Sequence, residues 1–203
     1  MTASVPPPRR PPCPGEPADA GPAGAVDPVR RWYEEELGWA TAPGAPVRLL
    51  TGLRFDVLDV PERAGRAALR LLGPATPVAL HGDRMRVLVA AGGADELPGL
   101  LEWLEWGTLA VDLRAIGAGG HIEAPPPGPA AAGPLPGRSG DQGAAVWLRP
   151  PGPGREAEDS LPRLSAVGGA GGAPGLVRLV DALATHCHRV RLLRACAQPL
   201  AFS

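Results

Sequence analysis

The sequence has few of the residues that build large cores, and no excess of positive charge. It contains no lysine and no asparagine, one tyrosine, two phenylalanines, and isoleucine only at positions 116 and 122. This bias indicates GC-rich coding, as in a GC-rich bacterium. The 20 arginines are balanced by 21 acidic residues, which gives a formal net charge of −1. A near-neutral chain has no overall attraction for phosphate or anionic lipid, so any nucleic-acid binding must be local.

Cysteines and apolar runs are too sparse for a disulfide framework or a membrane span. Cys13, Cys187 and Cys196 are an odd number, and the first lies in a Pro-rich segment. No apolar run reaches the length of about 18 residues that a membrane helix needs. The segment 5–12, VPPPRRPP, lacks the apolar stretch of a signal peptide. We therefore expect a cytoplasmic protein that does not bind membranes.

Glycine and proline, at 28 and 27 of 203 residues, divide the chain into regions. Residues 1–27 have the composition of a disordered tail, because they cannot bury enough apolar surface to offset ordering. Residues 28–198 are predicted to form a single domain, with Pro/Gly-rich inserts at about 125–143 and 150–174. The Pro-rich tail is suited to polyproline II structure, and a protein partner could dock there.

Between these regions the periodicity predicts an α+β domain. Asp27 and Pro28 are a typical start for a helix that ends at Gly38. On the helix predicted from 94 to 106, Trp103 and Trp106 are expected to pack in the core with the leucines, and 117–120, GAGG, is expected to be a tight turn. The other predicted elements are strands at 47–50 and 55–60, a helix at 61–72, a hairpin of 77–80 with 85–90, strands at 109–113, 121–124 and 145–148, and a helix from 174 to about 193.

Several short strings, in order over residues 30–148, carry a resemblance to a known family. They are Trp32-Tyr33 before 37–39, LGW; Thr51-Gly52 before 57–60, VLDV; and 119–126, GGHIEAPP. Together they resemble the N-terminal domain of bifunctional DNA primase/polymerases, of the archaeo-eukaryotic primase superfamily. The resemblance implies a mixed sheet flanked by helices and a role in DNA replication.

The resemblance also implies where a catalytic centre would lie. In that family an Asp-x-Asp pair and a third Asp hold two divalent metals, which neutralise charge on the transferred phosphate. Asp59 and Asp112 match two of these positions, as candidate catalytic residues and ligands of Mg²⁺ or Mn²⁺, but Pro61 stands where the second carboxylate belongs. Met85 stands where the family has a histidine that contacts the triphosphate. Arg84 and Arg86, beside it, are the candidate nucleotide-binding residues.

These matches and departures leave three functions open. The first is a catalytically degenerate domain that acts as a nucleotide- or DNA-binding or regulatory module. The second is an active metal-dependent nucleotidyltransferase, in which Asp56 or Glu62 supplies the missing carboxylate. The third is a non-catalytic scaffold that binds protein partners through its Pro-rich segments.

One further feature is the basic end of the last predicted helix. It carries Arg189, Arg191 and Arg194, and it could touch nucleic acid or an acidic partner. The plain alternative is favourable positive charge at a helix C-terminus. Within it, His186 and His188 point about 200° apart on a helix, which disfavours a zinc site.

Overall fold

The computed structural model describes residues 27–127, 144–164 and 175–196. These residues form eight strands and five α-helices, and the chain leaves α1 through a wider helical turn at Trp32–Glu36 and α2 through a 3₁₀ turn at Leu69–Leu71. The strands are β1 Thr41–Ala42, β2 Arg48–Leu50, β3 Phe55–Pro61, β4 Val78–His81, β5 Arg84–Ala90, β6 Arg114–Ile116, β7 His121–Glu123 and β8 Val146–Arg149. The helices are α1 Pro28–Arg31, α2 Glu62–Ala68, α3 Gly93–Trp103, α4 Glu156–Asp159 and α5 Leu176–Cys196.

The strands form two antiparallel sheets, which confirms the α+β class. A five-stranded sheet has the order β6-β3-β5-β4-β8, and a three-stranded sheet has the order β1-β2-β7. The expectation of a single mixed sheet is wrong for the described strands, because every pair is antiparallel. For one pair the reason is local: β4 and β5 are joined by the two-residue turn Gly82-Asp83, which can only reverse the chain.

The two faces of the five-stranded sheet bury different cores. Along β3, Leu58 and Val60 pack with residues of α2, α3 and α5, whereas Phe55 and Val57 pack with Tyr33 and the three-stranded sheet. This division follows from the alternation of side chains along a strand. Asp59 therefore lies on the same face as Phe55 and Val57, at the end of β3.

Hydrogen bonds of one tyrosine, in the helical turn that follows α1, link the N-terminal segment to both sheets. Asp27 caps α1 by accepting a hydrogen bond from Val29 N at 2.8 Å, as predicted. The buried Tyr33 donates from its hydroxyl to Pro125 O at 2.6 Å and accepts from Trp147 Nε1 at 2.9 Å. These bonds satisfy polar groups that would otherwise be buried without partners.

Two sequence predictions on α3 and β6 need correction. Leu97 and Leu100 are buried as expected, but Trp103 is 71% exposed because it lies off the helix face that they define. The strand expected at 109–113 instead begins at Arg114, where pairing with β3 starts. Asp112 consequently lies in the extended segment before β6. The expected tight turn is present, with Gly120 N donating to Gly117 O at 3.0 Å.

The described part of the insert expected at about 150–174 contains a helix and buried side chains. Residues 150–164 include α4, and Ala157 and Leu161 are buried in the core on the Phe55 side. Ala90 N at the end of β5 donates to Pro162 O at 3.0 Å, which ties this segment to the sheet. The remainder of that insert, most of the 125–143 insert and the predicted tail lie outside the described residues. No helix in the described ranges is long and apolar enough to cross a membrane.

Candidate functional site

Charged side chains are concentrated at one end of the sheet face that carries Asp59. In the strand register Asp59 stands opposite Arg86 on β5 and opposite Arg114 on β6. Arg84, one step further along that face, stands opposite His81 on β4. Residues directly opposite on antiparallel strands have Cβ atoms about 5 Å apart, so their side chains interact. We call Asp59, Arg84, Arg86, Asp112 and Arg114 the arginine–aspartate cluster.

The Arg84 guanidinium joins the two aspartates of this cluster. Its Nε donates to Asp59 Oδ1 at 2.5 Å, and its Nη1 lies 2.8 Å from both Oδ1 and Oδ2 of Asp112. Its Nη2 donates to the backbone oxygen of Asp59 at 3.0 Å. Burial alone would lower the pKa of Arg84, but the hydrogen bonds and charges of Asp112 and Asp59 outweigh it, and the pKa is raised. The guanidinium therefore remains charged, and it occupies the position between the two carboxylates.

Arg86 is less completely bonded. Its Nε lies 3.3 Å from Asp59 Oδ2 and its Nη2 lies 3.4 Å from Nδ1 of His81, while its side chain is 13% exposed. Its Nη1 is buried and has no hydrogen-bond partner within the described ranges. A buried donor without an acceptor costs about 1–3 kcal/mol, so this nitrogen is suited to an oxygen supplied by a ligand.

Side chains of the three-stranded sheet lie at one edge of the arginine–aspartate cluster, and we call this edge the rim. His81 Nε2 lies 3.4 Å from Glu123 Oε2, and Arg48 Nη1 lies 3.3 Å from Nε2 of His121. Arg114, 76% exposed, lies 3.9 Å from Asp112. The cluster and rim thus hold four guanidinium groups and three carboxylates, so the site is weakly cationic. The charged groups are Arg48, Arg84, Arg86, Arg114, Asp59, Asp112 and Glu123.

All four site residues predicted from the sequence, Asp59, Asp112, Arg84 and Arg86, lie in the arginine–aspartate cluster. Met85, at the position where the resemblance places a histidine, lies elsewhere. Met85 is fully buried on the opposite face, where a Cβ on Gly65 would lie 2.3 Å from its Sδ. Strand alternation explains this, because Arg84 and Arg86 occupy the face that carries Asp59. The imidazole on this face is His81, which sequence reasoning missed. The signal was the two-residue hairpin turn, which fixes His81 opposite Arg84.

The carboxylates proposed as replacements for the missing ligand are engaged elsewhere. Asp56 Oδ2 accepts from Ala94 N at 2.9 Å, at the start of α3, and so stabilises that helix. Glu62 is paired with Arg66 at 2.7 Å. Across the described residues no group of three His, Cys, Asp or Glu side chains could hold a metal ion. This donor set does not fit a two-metal centre, since divalent cations need several converging oxygens. Metal binding by Asp59 and Asp112 stays a prediction, and it requires Arg84 to move.

Asp112 is held in place from α5 as well as from β5. Cys187 Sγ donates to the backbone oxygen of Asp112 at 3.4 Å, and Arg191 Nη1 donates to Ala110 O at 2.8 Å. Burial, with a smaller contribution from the charge of Asp112, raises the pKa of the Cys187 thiol to about 12. The thiol therefore stays protonated near neutral pH and acts as a weak donor that fixes the segment before β6.

Comparisons with known proteins add no relative to this picture. No family model matches the chain, and no curated protein or solved structure matches it.

Proposed function

We propose that this chain is a primase/polymerase-like domain with a degenerate catalytic centre, which acts as a nucleotide- or DNA-binding or regulatory module. The observation that carries the proposal is the position of Arg84 between Asp59 and Asp112. Metal ions at such a centre neutralise phosphate charge. A guanidinium supplies positive charge and a fork of donors without any metal, so the site is suited to holding phosphate by arginine alone.

The proposed binding mode uses the donors that the cluster leaves free. A phosphate oxygen accepts from Nη1 of Arg86, and the exposed guanidinium of Arg114 adds a second contact from the other side of Asp59. Asp112 is the more exposed of the two aspartates, with 39% of its side chain accessible against 10% for Asp59. The phosphate therefore competes with Asp112 for Arg84, while Asp59 keeps the two arginines in place.

The same residues argue against nucleotidyl transfer. Pro61 has no ligand atom, Met85 faces the core, and Asp56 and Glu62 have other partners. Two-metal phosphoryl transfer needs carboxylates that hold both ions. The proposed module therefore binds phosphate without transferring it.

A metal-dependent nucleotidyltransferase is the second candidate, and one observation favours it. Asp59 and Asp112 converge on one cation position, so movement of Arg84 would leave both carboxylates facing the same point. In this alternative they bind Mg²⁺ or Mn²⁺, and Arg84 or Arg86 holds the triphosphate.

The third candidate, a protein-binding scaffold, depends on the Pro-rich segments, which lie outside the described residues. If deletion of residues 1–27 left every partner interaction unchanged, a role of the tail in partner binding would be contradicted.

Calorimetric titration of a nucleoside triphosphate into the full chain separates the first two candidates. The proposal expects binding in EDTA that Arg86→Ala weakens about tenfold, which corresponds to about 1.4 kcal/mol. Arg155→Ala is the matched control, because Arg155 is an exposed arginine beside α4. Binding only with Mn²⁺, lost in both Asp59→Ala and Asp112→Ala, would favour the enzyme instead. No binding under either condition would contradict the enzyme and also the phosphate site proposed at the arginine–aspartate cluster.

A further inference from the structure

A second group of arginines lies on the helix side of the five-stranded sheet, away from the arginine–aspartate cluster. Arg63, Arg66 and Arg70 are exposed and follow one another at spacings of three and four along α2 and the turn after it. Residues at these spacings share one side of a helix, and the row spans about 10 Å. Within the described ranges only Arg66 has an acidic partner, Glu62.

The row continues onto α5, which packs beside α2. Burial and the positive charges of Arg189 and Arg70 together lower the pKa of His186. Arg70 and Arg189 therefore act on the same imidazole although they belong to different helical segments. Arg149 adds a further guanidinium, since it donates to Gly73 O at 3.1 Å and to Leu69 O at 3.4 Å.

Two acidic residues lie at the N-terminal end of α2, away from Arg70. Glu62 begins that helix, and its backbone N–H donates to Asp83 O at 2.7 Å, which places Asp83 near the same end. The half of α5 from residue 185 to 196 contains three arginines and two histidines but no acid. Positive charge is therefore concentrated at the C-terminal end of α2 and on the second half of α5, which pack together.

Favourable charge at a helix C-terminus does not account for this arrangement. Interaction with the helix dipole is confined to the last turn, and Arg189 lies seven residues before the end of α5 at Cys196. Arg63 and Arg70 belong to a different element. The charge is thus spread across two elements and not placed at a single helix end.

We infer that Arg63, Arg66, Arg70 and Arg189, here called the α2–α5 arginine surface, bind the phosphodiester backbone of a nucleic acid. Each strand of B-DNA presents a phosphate about every 3.4 Å of the helix axis, so a row of about 10 Å parallel to that axis spans about three of them. Guanidinium groups match phosphate oxygens in geometry and charge. The inference goes beyond the arginine–aspartate cluster, and it rests on the proposed function only in favouring nucleic acid over other polyanions.

Fluorescence anisotropy with a labelled DNA duplex tests the inference on the full chain. Arg70→Ala combined with Arg189→Ala is expected to weaken binding about tenfold and to reduce the salt dependence by about two phosphate contacts. Arg155→Ala combined with Arg178→Ala removes the same charge from exposed positions elsewhere and should bind like the wild type. Arg63→Ala combined with Arg66→Ala is a second test of the same surface, and thermal melting establishes that each variant is folded.

The outcomes separate this inference from the proposed function. Binding of a nucleoside triphosphate should be unchanged by Arg70→Ala with Arg189→Ala, because α2 and α5 pack on the opposite face of the sheet from the one that carries Asp59. Duplex binding that depends on this surface, without triphosphate binding, would support the inference and contradict the phosphate site proposed at the arginine–aspartate cluster. Failure of the wild type to bind duplex, or equal binding by the surface and control variants, would overturn the inference. Loss of affinity for poly-L-glutamate but not for duplex would also overturn it and indicate an acidic protein partner.

Discussion

Nη1 of Arg84 lies 2.8 Å from both carboxylate oxygens of Asp112, in the position that a shared cation would take between Asp112 and Asp59. The two aspartates that the primase/polymerase resemblance assigns to metal are thus ion-paired by an arginine of the same chain. A guanidinium carries one permanent positive charge and five donors, so it can hydrogen-bond to both carboxylates at once. This relationship makes Arg84 a structural residue as well as a candidate phosphate ligand.

Removal of Arg84 should therefore destabilise the protein. Arg84→Met leaves Asp59, with 10% of its side chain accessible, without its main partner. We expect a loss of about 1–3 kcal/mol in the free energy of unfolding, less than for a fully buried pair because Asp112 is partly solvated. Urea denaturation measures it. Arg54→Met is the control, since Arg54 pairs with Glu158 and is 50% exposed, and it should cost less than about 1 kcal/mol.

A second substitution distinguishes loss of the Arg84–Asp59 ion pair from a general disruption of the fold. Asp59→Asn should cost less in the Arg84→Met background than in the wild type, because the carboxylate has then already lost its partner. Equal costs in the two backgrounds would mean that Arg84 and Asp59 do not stabilise each other.

Tyr33 gives a prediction about the core beneath the site. Tyr33→Phe removes the donor to Pro125 O and the acceptor for Trp147 Nε1, so we expect a loss of about 1–3 kcal/mol. Burial raises the pKa of the Tyr33 phenol, although the hydrogen bond from Trp147 acts in the opposite direction. The stability that this group contributes is present below the ordinary phenol pKa of about 10 and is lost as the pH rises above it.

Denaturation at increasing pH checks the sign of this effect. The wild type should lose stability above about pH 10 more steeply than Tyr33→Phe. Tyr33 is the only tyrosine, so tyrosinate absorbance reports its ionisation directly. Ionisation at the ordinary pKa in the folded protein would contradict the prediction.

The two described cysteines should differ sharply in reactivity. Cys187 is buried and its raised pKa of about 12 leaves little thiolate, whereas Cys196 is exposed. Near pH 8 we expect a thiol reagent to modify Cys187 at least about 100-fold more slowly than Cys196. The measurement uses variants that each retain one of these cysteines, with Cys13 replaced by serine in both. Similar rates would show that the contact with Asp112 opens readily.

The same raised pKa has a consequence for stability. The protonated Cys187 thiol contributes to the free energy of unfolding below its ordinary pKa of about 8.5, and this contribution is lost as the pH rises toward 12. Cys187→Ser, with a hydroxyl that does not ionise in this range, should flatten that part of the pH dependence. An unchanged slope would mean that this thiol is not involved.

Local signals predicted the elements whose ends are set by nearby residues. Asp27 and Pro28 start α1, and Gly82-Asp83 closes the β4–β5 hairpin, because caps and turns depend on neighbours in sequence. The strand at 109–113 was misplaced because pairing with β3 is set by a contact across more than 50 residues. Leu161 was missed because Gly/Pro-rich composition does not prevent single apolar side chains from filling a core.

The candidate site was only partly predictable for the same reason. The resemblance selected Asp59, Asp112, Arg84 and Arg86, and the register of β3 with β5 brings them together. Neither the ion pairs nor the contact of His81 with Arg86 follows from spacing along the chain, because each depends on which strands pair and which face of the sheet carries the side chains. Nucleotide binding, DNA binding and metal binding stay predictions.

The most direct test of the account is the effect of Asp112→Asn on metal-free binding of a nucleoside triphosphate. If phosphate competes with Asp112 for Arg84, loss of that charge should tighten binding about fivefold in EDTA, which corresponds to about 1 kcal/mol. Asp159→Asn, at an exposed aspartate in α4, changes the net charge equally and should have little effect. Weaker binding by Asp112→Asn, or no binding without Mn²⁺, would contradict the account and favour a metal-dependent enzyme.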